Sequence, residues 1–292
     1  MTYTLHDPID DSGTLPRRPS WIAVGGSEGA DGTPFFSGAS LGHMHLVMGH
    51  WAVPHALWRG RLAVRAAAAV SGFIGRTERM AEVRDELHLT RPGDLHGPAG
   101  ALGQAWARLV TRPLTVAHLA PCCGLAPETV AEALDAGTGD PVARGAAVLR
   151  HVLMQHPRRE AAALMLADVA LAQSLRWSRV VPLLALGLAR RDVRDARAEA
   201  CHRAVVKAVV QADRDARDLA MKAAYLRAVA GQLRGKQADA AVGMFLTRDA
   251  VAPWELTHLM SPRAARRLCE RLIDLGAVRE MTGRDTYRIY GL

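Results

Sequence analysis

Apolar positions in residues 261–292, SPRAARRLCERLIDLGAVREMTGRDTYRIYGL, recur first at helical spacing and then at strand spacing. Ala265, Leu268, Leu272 and Leu275 stand three or four apart, which predicts a helix with one apolar stripe. Ser261 suits the N-cap, Pro262 the first helical position, and Gly276 the stop. Residues 278–282 and 286–290 then read as short strands flanking Gly283-Arg284, a two-residue hairpin turn. That turn sets Thr282 opposite Asp285, Glu280 opposite Tyr287, Arg279 opposite Arg288 and Val278 opposite Ile289. Upstream, Pro253 opens a short helical segment over residues 254–260. Short helix, turn, basic helix and basic hairpin is the layout of a winged helix-turn-helix.

The rest of the chain carries helical periods almost throughout. Residues 58–76 place Leu62, Ala66, Ala69 and Phe73 on one face, and residues 80–89 continue helically. After the turn-rich RPGDLHGPAG, short helices are expected over residues 101–110, 116–119 and 127–136. Two amphipathic helices follow over 141–155 and 158–175. The apolar PLLALGLARR, opened by Pro182, is expected near the centre of the core. From 192 to about 233 the pattern is helical, with the charged DRDARD (residues 213–218) marking an exposed kink or a join. Its seam is mostly Ala, which favours a bundle wall over a coiled coil. A last helix is expected over 238–246. Residues 1–34, rich in Asp, Gly, Ser and Pro, read as a flexible arm. The expected organisation is therefore an arm (1–34), a helical body (35–248) and a winged-helix module (249–292).

Composition agrees with helices: 49% apolar residues but only 5% aromatic, with recurrent Ala runs. The charge is +8, and it is uneven. From Cys201 onward 16 basic residues face 10 acidic ones, so the positive field lies beside the terminal module. Four cysteines, two adjacent, make neither a disulfide framework nor a zinc spacing. The acidic start lacks a signal-peptide pattern, and no apolar run is long enough to span a bilayer. A cytoplasmic protein without membrane contact is expected.

Several motifs are set aside. WIAVGGSEGADG resembles the start of a dinucleotide site, but Asp31, Gly32 and Pro34 stand where a helix should open. Gly38-Ala39-Ser40-Leu41-Gly42 matches the G-x-S-x-G nucleophile elbow, yet too little chain precedes it to build a parallel sheet. Ser40 is expected on or beside a helix, with no His–acid pair in reach. The small residues around it are expected to let helices pack closely. His43, His45, His50 and His55 are close in sequence, but without HExxH or a helical His pair they read as polar or surface histidines. Residues 114–136 could form a second helix-turn-helix, but Glu128, Glu132 and Asp135 would meet phosphate. No basic neighbour is expected to lower the pKa of Cys122 or Cys123, which are expected as buried small residues. Gly235-Lys236 lacks the glycine-rich loop of a phosphate site.

From LRWSRVVPLLALGL onward, and most clearly in the terminal stretch, the chain resembles the bacterial family catalogued as domain of unknown function 1403. FFSGASLG, WRGRLAVRAA and GRTERMAEVRDELHLTRPGDLHGPAG are similar to that family's N-terminal half. The tail also resembles the winged-helix ends of helical proteins of the Fic type. The Fic motif HPFx[DE]GNGR is absent, which argues against adenylyl transfer. The family name implies no activity.

The expected fold is mainly α: a multi-helix bundle with a C-terminal winged helix-turn-helix ending in a β-hairpin. Double-stranded DNA is the expected partner, contacted by Arg263, Arg266, Arg267, Arg279, Arg284 and Arg288. The alternative is an interaction or scaffold protein that binds another protein or a second copy, its terminal module packed on its own body. A third reading is an enzyme with a site near His43–His55. No catalytic residue, cofactor or metal is assigned.

Overall fold

The computed structural model describes residues 14–25, 33–91, 93–233, 237–284 and 286–292. Among them the chain is mainly helical. Its first helices are α1 (Ser20–Gly25), α2 (Thr33–Gly49), α3 (His55–Phe73), α4 (Met80–Leu89), α5 (Pro98–Thr111), α6 (Val116–Cys123) and α7 (Pro127–Asp135). Then come α8 (Pro141–Gln155), α9 (Glu160–Ser174), α10 (Leu183–Gly187), α11 (Arg190–Asp195), α12 (Ala198–Ala230), α13 (Ala238–Thr247) and α14 (Pro262–Asp274). A 3-10 turn, Pro253–Leu256, precedes α14, and the strands β1 (Arg279–Glu280) and β2 (Tyr290–Gly291) follow it.

The central element is α9. Every residue from Ala162 to Ala172 is buried, so this helix is enclosed on all sides and is not the amphipathic helix expected there. It pairs with α8 as an antiparallel hairpin, and α10 crosses it. The apolar PLLALGLARR yields only the five-residue α10, and Asp168 of α9 caps its start by accepting the N–H groups of Leu184 (2.7 Å) and Ala185 (3.1 Å). Helix α10 meets α12 almost backbone to backbone. A Cβ on Gly187 would lie 2.0 Å from the Ala204 carbonyl oxygen, so only glycine fits there.

Helix α12 runs unbroken for 33 residues along α2, α8 and α10. The helical run from 192 does break, but earlier, at Ala196 with its left-handed φ of 45°. DRDARD makes neither kink nor join: Asp213 and Asp215 are buried. Asp213 meets His43 (3.0 Å) and Arg217, while Asp215 meets Arg65 (2.7 Å) and Gln211 (3.0 Å). Trp58, sealed at the core, donates its indole N–H to the Ala212 carbonyl at 3.0 Å.

Part of the expected arm is docked. Leu15 and Ile22 are buried, and Arg217 donates to the carbonyls of Leu15 and Pro16. The glycine cluster at 26–32 and Gly235-Lys236 lie outside the described residues.

The end of the chain is anchored by charge. Asp249, fully buried after α13, pairs with Arg61 of α3 and with Arg84 of α4 at 2.6 Å. Burial alone would raise its carboxyl, but the two guanidinium groups hold it well below the usual carboxylate range. Arg61 also donates to the Leu292 backbone oxygen at 3.0 Å. Leu272 of α14 is fully buried but flanked by half-buried Leu268 and Leu275, which can shift into a void. Leu272→Ala is expected to cost about 2–3 kcal/mol, the low end for such truncations, read from a urea melt. An unchanged midpoint would show that the helix does not depend on this contact.

Candidate nucleic-acid interface

Helix α14 forms where the pattern placed it. Ser261 caps it, accepting the Ala264 N–H at 3.3 Å, and Pro262 opens it. Gly276, at φ 67°, follows its end. The buried stripe is Ala265, Cys269 and Leu272, with Leu268 only half-buried; Cys269 takes the place expected of Leu268. This small rotation leaves Arg263, Arg266 and Arg267 exposed, together with Arg271, which the sequence reading passed over although it continues the four-residue spacing. None of the four makes an ion pair among the described residues, although Glu270 and Asp274 share the helix. Arg263, Arg267 and Arg271 edge a cleft of about 690 Å³ whose far wall holds Gln232, Leu233 and Gln237.

The hairpin departs from expectation. Arg279 pairs with Gly291 and Glu280 with Tyr290, so Arg279 does not face Arg288, Val278 does not face Ile289, and Glu280 does not face Tyr287. Asp285, expected opposite Thr282, lies outside the described residues. The cause is local. The Glu280 carboxylate folds forward to accept the N–H groups of Thr282 (2.7 Å) and Gly283 (2.8 Å), making a loop where a tight turn was expected. Partial burial opposes its ionisation, but these bonds hold the Glu280 carboxyl below its ordinary value. Tyr287, at φ 54°, then breaks the returning strand. Tyr290 also pairs on its other side with Val251, through bonds of 2.8 and 2.9 Å.

The hairpin arginines consequently differ. Arg279 is exposed. Arg284 is drawn to Asp85 of α4 at 2.8 Å, and Arg288 donates to the Arg284 carbonyl at 2.8 Å. The six arginines therefore do not form one open surface. Among the described residues the α14 arginines have no ion-pair partner, while the loop is fastened to the body.

The other candidates resolve individually. Ser40 is sealed within α2 and donates to the Phe36 carbonyl at 2.8 Å. His43 belongs to the buried Asp213–Arg217 cluster, His45 accepts the Trp177 indole N–H at 3.2 Å, and His50 stacks on Trp51. Burial, with Arg59 nearby, lowers the His55 pKa. His55 also meets the His50 backbone, but the four histidines do not gather at one site. No group of three metal-ligating side chains occurs among the described residues. Cys122 and Cys123 are buried, and burial pushes the Cys123 thiol up to about 12. Arg108 and Arg112 do lie near Cys122, through α5 and the residue after it, but burial still raises that thiol.

One arrangement had no sequence signature. Ser37 of α2 and His202 of α12 meet at 2.7 Å, and Asp140, the N-cap of α8, stands 3.8 Å from the other ring nitrogen. They share a second cleft.

The model of the family described as protein of unknown function (DUF1403) matches residues 6–292, and the chain belongs to that family. No curated protein and no solved structure matches the chain. No helix among the described residues is long and apolar enough to cross a membrane.

Proposed function

We propose, for this member of a family without assigned activity, that residues 249–292 act as a winged helix-turn-helix that binds double-stranded DNA through α14. The order of elements supports this reading. Helix α13, the bridge at Val251, the 3-10 turn, α14, β1, a loop and β2 follow one another as in that fold. The observation that carries it is the exposed row of Arg263, Arg266, Arg267 and Arg271 on the second helix of the pair, which makes no ion pair among the described residues. Guanidinium groups placed in this way suit phosphates and the edges of guanine. Arg279 would add a backbone contact. Arg284 would not, because reaching out means leaving Asp85.

Fluorescence anisotropy with a random-sequence duplex, at several salt concentrations, tests this. Non-specific affinity of about 10⁻⁴–10⁻⁶ M is expected, falling steeply with salt. Arg263→Ala, Arg266→Ala and Arg267→Ala should each weaken binding and flatten the salt slope by about 1. Arg284→Ala should leave both unchanged. Undetectable affinity at low salt, or a triple variant that binds as well as the native chain, would exclude the proposal. It would then favour the reading in which the module is a fixed part of the body, for which the Asp249 and Asp85 anchors speak.

A further inference from the structure

One stripe of α2, comprising Ser37, Gly38, Leu41, Gly42 and His45, floors a cleft of about 470 Å³, a volume suited to a small ligand. The two glycines of the G-x-S-x-G match belong to this stripe. They do not bring helices together as expected, because a Cβ on either would meet nothing within 4 Å. They keep the floor open. Leu175, Trp177 and Val142 supply apolar walls.

The polar groups in this cleft have defined roles. Ser37 Oγ lies 2.9 Å from the Pro34 carbonyl, which can only accept, and 2.7 Å from His202 Nδ1. Both contacts are satisfied when the single hydroxyl proton goes to Pro34 and His202 donates its Nδ1–H to Ser37. Burial lowers the His202 pKa, against the pull of Asp140 and Glu199, which favours the neutral ring; with its proton on Nδ1, that ring carries a bare lone pair on Nε2. Asp140 uses Oδ1 to cap α8, accepting from Val142 and Ala143 at 2.9 and 3.0 Å, which leaves Oδ2 toward His202. In that state two acceptors, Asp140 Oδ2 and His202 Nε2, stand 3.8 Å apart. Their complement is a single atom that carries at least two protons, since hydrogen bonds of about 2.9 Å from one atom span that gap, and the Asp140 carboxylate favours a cationic nitrogen there over water.

We propose that this cleft binds a small primary amine with an apolar body, its ammonium group held between Asp140 Oδ2 and His202 Nε2. Nucleophilic catalysis at Ser37 does not follow from the geometry. Ser37 is 1% exposed and its proton is committed to Pro34.

Calorimetric titration of the full chain with phenethylamine, and with its neutral counterpart phenethyl alcohol, provides the test. The amine should bind saturably and the alcohol at least about tenfold more weakly, the worth of a hydrogen bond to a charged group. Asp140→Asn retains an N-cap residue while removing the charge, and should weaken the amine by a similar factor. Gly42→Leu should abolish binding by filling the floor, without lowering the melting temperature, because Leu favours helix over Gly. Equal binding of amine and alcohol would overturn the proposal. So would native affinity in either variant, or no saturable binding of the amine up to about 10 mM. Fluorophosphonate labelling that disappears in Ser37→Ala would also overturn it, by showing that the Ser37 proton is free.

Discussion

Asp249→Ala should be among the most damaging single changes in this protein, costing about 3–5 kcal/mol, because it leaves two buried guanidinium groups without their counterion. Arg61 and Arg84 are both buried and come from different helices, α3 and α4. Neither can reach solvent without pulling its helix from the core, so the void cannot be relieved cheaply. Urea unfolding should show the loss directly. Asp249→Asn should fall between the two, since it can still accept from one arginine. A variant within about 1 kcal/mol of the native chain would mean that the arginines find other partners. Acid should weaken the same region in two separate steps. His88, held near 4 by burial despite Asp249, stays neutral in the folded chain while its unfolded form protonates. Its contribution is therefore lost as pH falls from about 6.5 to 4. The Asp249 carboxyl is depressed, so its contribution is complete above about 3.8 and is lost only in stronger acid.

Helix α14 was legible because its signals are local. The cap, the proline, the apolar spacing and the stop all lie within sixteen residues, Ser261 to Gly276. The hairpin was not legible, although its turn residues are favourable, because a short turn competes with other uses of the same groups. Glu280 satisfied the N–H groups of Thr282 and Gly283 by itself, and Val251 offered Tyr290 a partner from 39 positions upstream. DRDARD misled for the opposite reason. Charge density marks exposure only when the partners are solvent, and here they are His43 and Arg65 from α2 and α3. The amine cleft lay beyond reach altogether. Ser37 and His202 are 165 positions apart, and Asp140 reads in sequence as an ordinary helix cap. What the chain does show locally is Gly38 and Gly42 on one helix face, a spacing that fits close packing as well as an opening.

The second large effect is a loss of stability toward alkaline pH, centred on Asp168. This carboxyl is wholly buried in α9, and among the described residues only backbone N–H groups of α10 donate to it. Burial pushes it up to about 8, against the pull of the N–H groups of Leu184, Ala185 and Leu183. No cation is among the causes that set its pKa, in contrast to Asp249, and that difference sends the two aspartates in opposite directions. Below about 3.8 the group is neutral in both folded and unfolded chains. As pH rises from there, the unfolded chain ionises first and gains free energy, so folding stability falls until the folded carboxyl also ionises near 8. At about 1.4 kcal/mol per unit, the fall across this window amounts to about 6 kcal/mol at the outside. Asp168→Asn cannot ionise and should remove this slope. It keeps one acceptor for the N–H groups of α10, at the cost of an amide donor facing another. The variant should therefore be the less stable protein at pH 5 and should close the gap, or overtake the native chain, by pH 8. Urea unfolding of both proteins at whole pH units across that range is the measurement. Parallel profiles would show that Asp168 is ionised in the fold and that the α10 N–H groups suffice to hold the charge.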